Sequence, residues 1–548
     1  MITPINPTEL MTALCATLEL PEQKTTKLGF CDSSKLKHVR AWAEKLKVTQ
    51  AVATSVLLYR SIPELSHLKT TYRTRLDMLE VVRARLKTIH SGLSKEYLKK
   101  PIILPPEAQK AAIIAQAIQK HLLNGYLIAL QDCLASNNKS NKSNKKNITS
   151  SKKDIALIIY RSMHAIQTIF FRSYQLYTRY PHNLWKTLHT LYLIGDHFDL
   201  LNIQIEDNLL CQVSSLSIKQ TYVRTLLLSA SKPNQISQGD ITSLYSILEQ
   251  WCQYADVQTQ VPQKQSQTNI LCVDLNTDNG PIYKPSEPKP SLIEICIHKL
   301  INEITKDKKE EAKIIPLKVT PFIQSHALNA WTQTTERLDQ RNPTNAQADI
   351  CIGLSDCHKL LAQGENFQNF IENDPSNSNL DQKIDSQLTP NTQFDNAVPS
   401  DIAVSGCTVV NTSQNGFCLL WQGDIPSKMQ AGEILLIRER SRHKWKLGVV
   451  RWIKQLKNAS QLGIQVIAND PIPAAVKQVS GKRQQPDYQR ALLTQQQDKQ
   501  TLLCPSNLFT VNKKANIIES NRAHLITIEQ NIYSTSNIAQ YTYDVIPS

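Results

Sequence analysis

Five short β-prone runs crowd into residues 407–468, a density that fits no helical reading. They are Cys407 to Val410, Phe417 to Trp421, Glu433 to Glu439, Trp445 to Ile453 and Leu462 to Ala468, spaced 8–14 residues apart with Gly or polar turns between. That pattern predicts a small antiparallel barrel or sandwich. The first two runs flank Asn411-Thr-Ser413-Gln-Asn-Gly416. This reads as a tight turn, because Asn and Ser bond turn backbone and Gly tolerates positive φ. Trp421 and Trp452 are expected in the barrel core. Pro471-Ile-Pro473 ends the series, and after a polar linker near 478–487 a second small β unit follows over 485–548.

The chain before this region has a different period. Leu36, Val39, Ala43, Leu46, Val52 and Val56 recur at helical spacing, as do Leu65, Leu68, Leu76, Leu79, Val82 and Leu86 after an expected break at Pro63. Pro105-Pro106-Glu107 opens another helix, since Pro suits a first turn. Residues 1–255 therefore read as a helical array without a clean repeat, interrupted by a Ser/Asn/Lys-rich low-complexity loop at 136–153. Residues 256–330 read as a linker with one short strand near Ile270 and a helix from Leu292 to Ile304. The barrel region spans 331–475, and a polar stretch at 363–405 reads as a solvated, disordered insertion. The fold class is multidomain α+β: an all-α N-terminal half, a small antiparallel six-stranded β-barrel and a second small β unit.

The formal net charge of +15 is confined to the N-terminal part: residues 1–200 hold 29 Lys+Arg against 14 Asp+Glu. A basic helical surface suits a protein-docking array, and nucleic-acid binding is the alternative, disfavoured by the lack of aromatic residues interleaved with Lys/Arg. The 12 Cys include no Cys-x-x-Cys pair, so neither a zinc site nor a disulfide framework is expected. Cys351, Cys357 and His358 are a weak metal candidate at best, and buried thiols are the plainer reading. No run approaches the length of a membrane span, and the first residues lack a secretory pattern, so a cytoplasmic protein is expected. Serine-nucleophile, phosphate-loop and zinc-protease motifs are all absent, and 15 Gly in 548 residues disfavour a Gly-rich nucleotide loop. No enzyme activity, metal or cofactor is expected.

One further motif stands upstream of the turn. Arg337-Leu-Asp-Gln-Arg341 carries two guanidiniums on one short segment, and Arg341 and Asn411 are 70 positions apart. Guanidinium groups bind phosphate oxygens bidentately, stack on purines and read the guanine edge. Arg-x-x-x-Arg followed by Asn-x-Ser-x-x-Gly, with Ala431-Gly-Glu-Ile-Leu-Leu-Ile437, Gly448-Val-Val-Arg451-Trp452 and Leu462-Gly463-Ile-Gln-Val after it, resembles the PilZ domain, a bacterial receptor module for cyclic di-GMP. The resemblance covers about residues 331–470. It implies a six-stranded barrel, cyclic di-GMP as ligand, and Arg337, Arg341, Asn411, Ser413 and Gly416 as the binding residues. It also implies an effector that meets a protein partner in motility, adhesion or biofilm control. A ligand-free interaction scaffold with a degenerate barrel is the competing class.

Overall fold

A computed structural model describes residues 6–140, 145–258, 271–283, 289, 291–306, 319–333, 340–372, 402–423, 425–479, 487–496, 499–520 and 522–547. The chain divides into two compact units: residues 1–335, less 101–103 and 234–237, and residues 336–548.

The first unit is built on two long helices, Pro106–Ser140 and Lys145–Gln175, packed against each other. Ala51–His67, Tyr72–Arg83 and Leu86–Tyr97 pack on the first; Leu184–His197, Ile218–Ala230 and Gln238–Trp251 pack on the second. Local capping agrees with these bounds. Thr71 accepts from the Thr74 amide, and Ser217 forms a reciprocal capping box with Gln220. Pro63 does not break its helix but sits inside Ala51–His67 near its end, where Leu58, Ile62 and Leu65 are buried. The stretch 136–153 is not simply a loop either, since the flanking helices run to Ser140 and start at Lys145. Once nucleated by packed turns, a helix gains a hydrogen bond for each residue added, and polar composition does not stop it.

The supposed linker is folded. Asp256–Gln258, Leu292–Cys296, Leu271–Asp274 and Ile282–Tyr283 form a four-stranded antiparallel sheet in that order. Only His298–Thr305 is helical in the segment read as one helix, because Leu292, Ile293 and Ile295 are buried in a strand. Helix Pro321–Thr332 buries Trp331, whose Nε1 donates to the Leu227 carbonyl at 3.2 Å and to Ser231 Oγ at 3.0 Å. Runs of four or five apolar residues are too short to reveal such packing from sequence.

A buried ionic cluster lies among the helices. Asp207 meets Arg83 at 2.6 Å and Arg161 at 3.2 Å and accepts from Tyr160 Oη at 3.0 Å. Arg161 also pairs with Glu80, which accepts from Tyr126. Burial opposes ionisation of Asp207, but His164, which becomes charged only in strong acid, and the Arg83 and Arg161 guanidiniums override it and hold its carboxyl well below the usual carboxylate range.

The second unit contains two closed six-stranded antiparallel barrels. In the first, Asn342–Ile352 pairs with Val404–Ser413, then in turn Gly416–Gln422, Ala459–Asn469, Lys446–Gln455 and Ile434–Glu439, which closes on Asn342–Ile352. The second follows the same circuit: Ile472–Gln478, Gln489–Gln496, Lys499–Pro505, Ile538–Val545, Arg522–Ser534, Lys514–Glu519 and back. The second barrel is thus a topological repeat of the first, and it begins at Ile472, ahead of the expected 485.

The barrels share an apolar interface. Ile434, Leu436, Leu447 and Ala468 of the first join Leu492, Leu503 and Ile538 of the second, with Cys351, Cys357 and Leu360 in the same cluster. The stretch expected to be solvated from 363 starts with a short helix, Phe367–Glu372, whose Phe370 packs on Ala475 and Ile518 of the second barrel. The rest of that insertion, 373–401, lies outside the described residues.

Candidate functional site

The hairpin Val404–Ser413 to Gly416–Gln422 is the observed form of the Asn-x-Ser-x-x-Gly motif. Ser413 pairs with Gly416 across a two-residue turn, and Asn411 pairs with Cys418. Between the Val409–Leu419 and Asn411–Cys418 pairs the register slips, leaving Val410 as a bulge. Val409 and Leu419 are buried in the barrel. Strict alternation would point Asn411 inward with Val409; the bulge turns it to the outer face, a use of bulges common beside binding sites.

The same hairpin meets the upstream arginine segment. Asn342 pairs with Thr412 and Pro343 with Asn411, so Arg341 enters the barrel beside the motif despite the 70-position separation. Arg341 is exposed and has no acidic partner among the described residues. Burial raises the pKa of the Cys418 thiol, while the Arg341 charge and a hydrogen bond from Asn411 pull it back. Arg341, Asn411 and Cys418 therefore share one local field. Ser413 lies two residues beyond Asn411 at the strand end and is half-buried. Arg337 lies outside the described residues.

Gly416 has a different physical role from the one expected. It is not among the positive-φ residues. A Cβ added there would fall 2.7 Å from the Ile464 carbonyl oxygen. The neighbouring strand Ala459–Asn469 closes on the hairpin at this point, with the Val466 amide donating to the Asn415 carbonyl at 3.0 Å. Glycine is demanded by a backbone, and the close approach to a ligand is not needed to explain it.

Trp421 is buried as expected, but Trp452 is half-buried on the outer face. Arg451 is a bulge between the Val450–Ile464 and Trp452–Gly463 pairs, so Val450 and Ile453 are buried while Trp452 is turned out. The pairing of a large aromatic with Gly463 was visible in the sequence only as two residues; the register brings them together.

Other basic and metal-capable side chains of this barrel have structural partners. Arg438 and Arg440 both pair with Asp349, Arg442 with Glu439 and Lys444 with Asp470. Arg440, Arg442 and Lys444 are exposed, so their pairs carry small energetic weight, whereas the Arg438–Asp349 pair is largely buried. Cys357 donates to the Cys351 carbonyl at 3.4 Å inside the interface between barrels, and His358 stands edge-on to Phe367 and Phe370 at 5.3 and 4.9 Å. Among the described residues no group of three or more His, Cys, Asp or Glu could hold a metal, and no helix is long and apolar enough to cross a membrane. In the second barrel the corresponding hairpin pairs Gln496 with Lys499 where the first pairs Ser413 with Gly416, so the motif is not repeated.

Comparison with known proteins covers most of the chain. Residues 37–263 match the family described as the N-terminal domain of the cyclic-di-GMP receptor FimW. Residues 270–405 and 383–473 match its middle PilZ domain, and 474–546 its C-terminal beta-barrel domain. The cyclic-di-GMP receptor FimW of Pseudomonas aeruginosa is 26% identical over 525 residues, covering 87% of this chain and 84% of that protein.

Proposed function

Since this chain belongs to the PilZ-domain family of bacterial cyclic di-GMP receptors, we propose that it is a cyclic di-GMP-binding effector whose ligand lies on the outer face of the first barrel. The observation that carries this is the pairing of Asn342 with Thr412, which joins Arg341 to Asn411-x-Ser413-x-x-Gly416. Arg341 contacts a phosphate or a guanine edge, and Arg337, four residues earlier, takes the other role. Asn411 and Ser413 bond the guanine or the sugar–phosphate backbone from a rigid strand end, and Gly416 lets the hairpin close. The work of such a site is binding, not bond-making. The signal reaches a protein partner through the basic helical unit, in the control of surface attachment or motility, in the cytoplasm. A ligand can shift a conformational equilibrium only by the difference in its affinity for the two states.

Calorimetric titration of the full chain with cyclic di-GMP tests the reading. Wild type is expected to bind. Arg341→Ala removes a charge-assisted contact of about 1.5–3 kcal/mol and weakens binding by roughly 10- to 150-fold. No binding heat from wild type at ligand concentrations up to the millimolar range would sink the receptor reading in favour of a ligand-free scaffold.

A further inference from the structure

We propose that the outward face of helix Ala51–His67, with the adjoining part of Pro106–Ser140, is a docking surface for an anionic lipid bilayer. A helix that is apolar all round belongs in a core, yet this one lies at the surface. Leu58 and Ile62 are buried, and so are the small polar residues Thr54, Ser55 and Ser61, while Val52, Leu57 and Tyr59 are 49%, 50% and 41% exposed. At about 3.6 residues per turn, Val52, Ala53, Val56, Leu57 and Tyr59 share the outer side, and Arg60 is its charged member. Among the described residues eleven large apolar side chains are exposed, and four of them gather here, the fourth being Ile113 at 57% on the adjacent helix. The Tyr59 and His121 rings lie 5.7 Å apart and tie the two helices together. Farther along, Arg75 donates to the Leu68 carbonyl and to Gln23, which donates to Asp132, so the helices run in the same sense. Val52 and Ile113 then each lie two turns back from the ring contact, about 10–12 Å along their helices, and belong to one patch.

The rim of the patch sets the sign of its partner. Residues 35–120 hold 17 Lys+Arg against 6 Asp+Glu. Lys45, Lys47, Arg60 and Lys120 are exposed and form no ion pair among the described residues. Lys47 is fixed at the head of the first helix, where its carbonyl accepts from Thr54 Oγ1 at 2.7 Å. Lys120 stands near the ring contact: burial first, and then the Lys120 charge, lowers the pKa of His121. Nearby acids are engaged, Glu107 by Lys110 and Glu64 by the Gly29 amide, and Glu44 is the exposed exception. An apolar patch ringed by free cations matches a bilayer of acidic lipids, anionic at its surface and apolar beneath. Tyr59, with an apolar ring and a polar tip, suits the headgroup level. Two other occupants fit less well. Protein interfaces are depleted in Lys, and three of these four cations are Lys. A second copy would set the same cations against themselves. The contact uses neither the first barrel nor its ligand, so it stands or falls apart from the cyclic di-GMP reading.

Flotation of the full chain with lipid vesicles tests this, without cyclic di-GMP. The vesicles are phosphatidylcholine alone and an equal mixture of phosphatidylcholine and phosphatidylglycerol. Wild type is expected to bind the mixed vesicles, to bind phosphatidylcholine alone at least about tenfold more weakly, and to be released by salt. Each basic residue near such a surface contributes about fivefold, so Lys47→Gln, Arg60→Gln and Lys120→Gln combined are expected to weaken binding by about 100-fold. Leu57→Glu removes apolar contact and adds a repelled charge, for an expected loss of at least about tenfold. Ile532→Glu places the same charge at an exposed apolar position on the second barrel and is expected to bind within about twofold of wild type. Thermal melts check that each variant folds. No binding of wild type to the mixed vesicles, or binding of L57E or the triple variant within about twofold of wild type, overturns the proposal. Equal binding to both kinds of vesicle overturns it, as does I532E falling as far as L57E. A dimer in sedimentation equilibrium that L57E breaks would assign the face to a second copy and overturn it as well.

Discussion

Replacing Gly416 with alanine separates two explanations of why a glycine ends the Asn-x-Ser-x-x-Gly motif. If the glycine exists to let a ligand approach, the alanine variant folds normally and fails only in binding. The structure argues otherwise. The new Cβ would lie 2.7 Å from the Ile464 carbonyl oxygen. A comfortable carbon–oxygen contact is at least about 3.3 Å, so hairpin and strand must part by about 0.6 Å. The obstacle is backbone within a paired strand and has no rotamer to change. Overpacking of this kind costs about 1–3 kcal/mol. Weakening the neighbouring bond from the Val466 amide to the Asn415 carbonyl adds a part of the roughly 1 kcal/mol that such a bond contributes. A loss of about 2 kcal/mol is expected, which lowers the melting temperature of a unit of this size by about 4–8 °C. Differential scanning calorimetry without ligand measures it. A melting temperature within about 1 °C of wild type, together with lost cyclic di-GMP binding, would refute the steric argument and restore the ligand-approach role.

Two further expectations concern the helical unit. Asp207→Asn leaves Arg83 and Arg161 buried against a neutral amide, and removing one partner of a buried ion pair costs about 3–5 kcal/mol, to be read from urea denaturation. Stability of this unit also falls in mild acid. Burial is the main cause that pushes His164 down to about 3 and His189 down to about 4, whereas an unfolded histidine titrates near 6.5. Between those values the unfolded chain binds protons that the folded chain refuses, so stability is complete above about pH 6.5 and declines as pH falls toward 4. Melting temperatures measured from pH 7.5 to 5 should decrease steadily, and a flat profile would contradict the assignment of both histidines as buried and neutral.

The limits of reading the chain from its residues are clearest at the bulges. β-prone runs set off by Gly or polar turns located the strands Phe417 to Trp421 and Trp445 to Ile453, and helical spacing located the apolar faces around Leu76, Leu79 and Val82. Trp452 was expected in the barrel core; strict alternation would indeed place it inward with Val450, but Arg451 is an extra residue in the pairing and turns it out. The same device at Val410 turns Asn411 outward. A bulge is a relation between two strands, and a single strand's sequence does not display it. The sheet between Asp256 and Cys296 was hidden for a related reason: its strands are two to five residues long, and their burial comes from pairing across the intervening chain. The repeat of the barrel circuit in residues 472–545 was equally invisible, because topology constrains pairing order and leaves side chains free to differ.

Local chemistry in the sequence by itself determined the kind of elements, the β-rich C-terminal part and the residue types suited to an anionic guanine nucleotide. Those properties follow from backbone propensity, apolar spacing and donor geometry, all of which are short-range. Tertiary structure alone decided that Arg341 stands beside Asn411, that Gly416 answers to Ile464 and that Trp452 lies outside over Gly463. Each of these depends on which strands pair and in what register, and register is settled by the packing of the whole barrel.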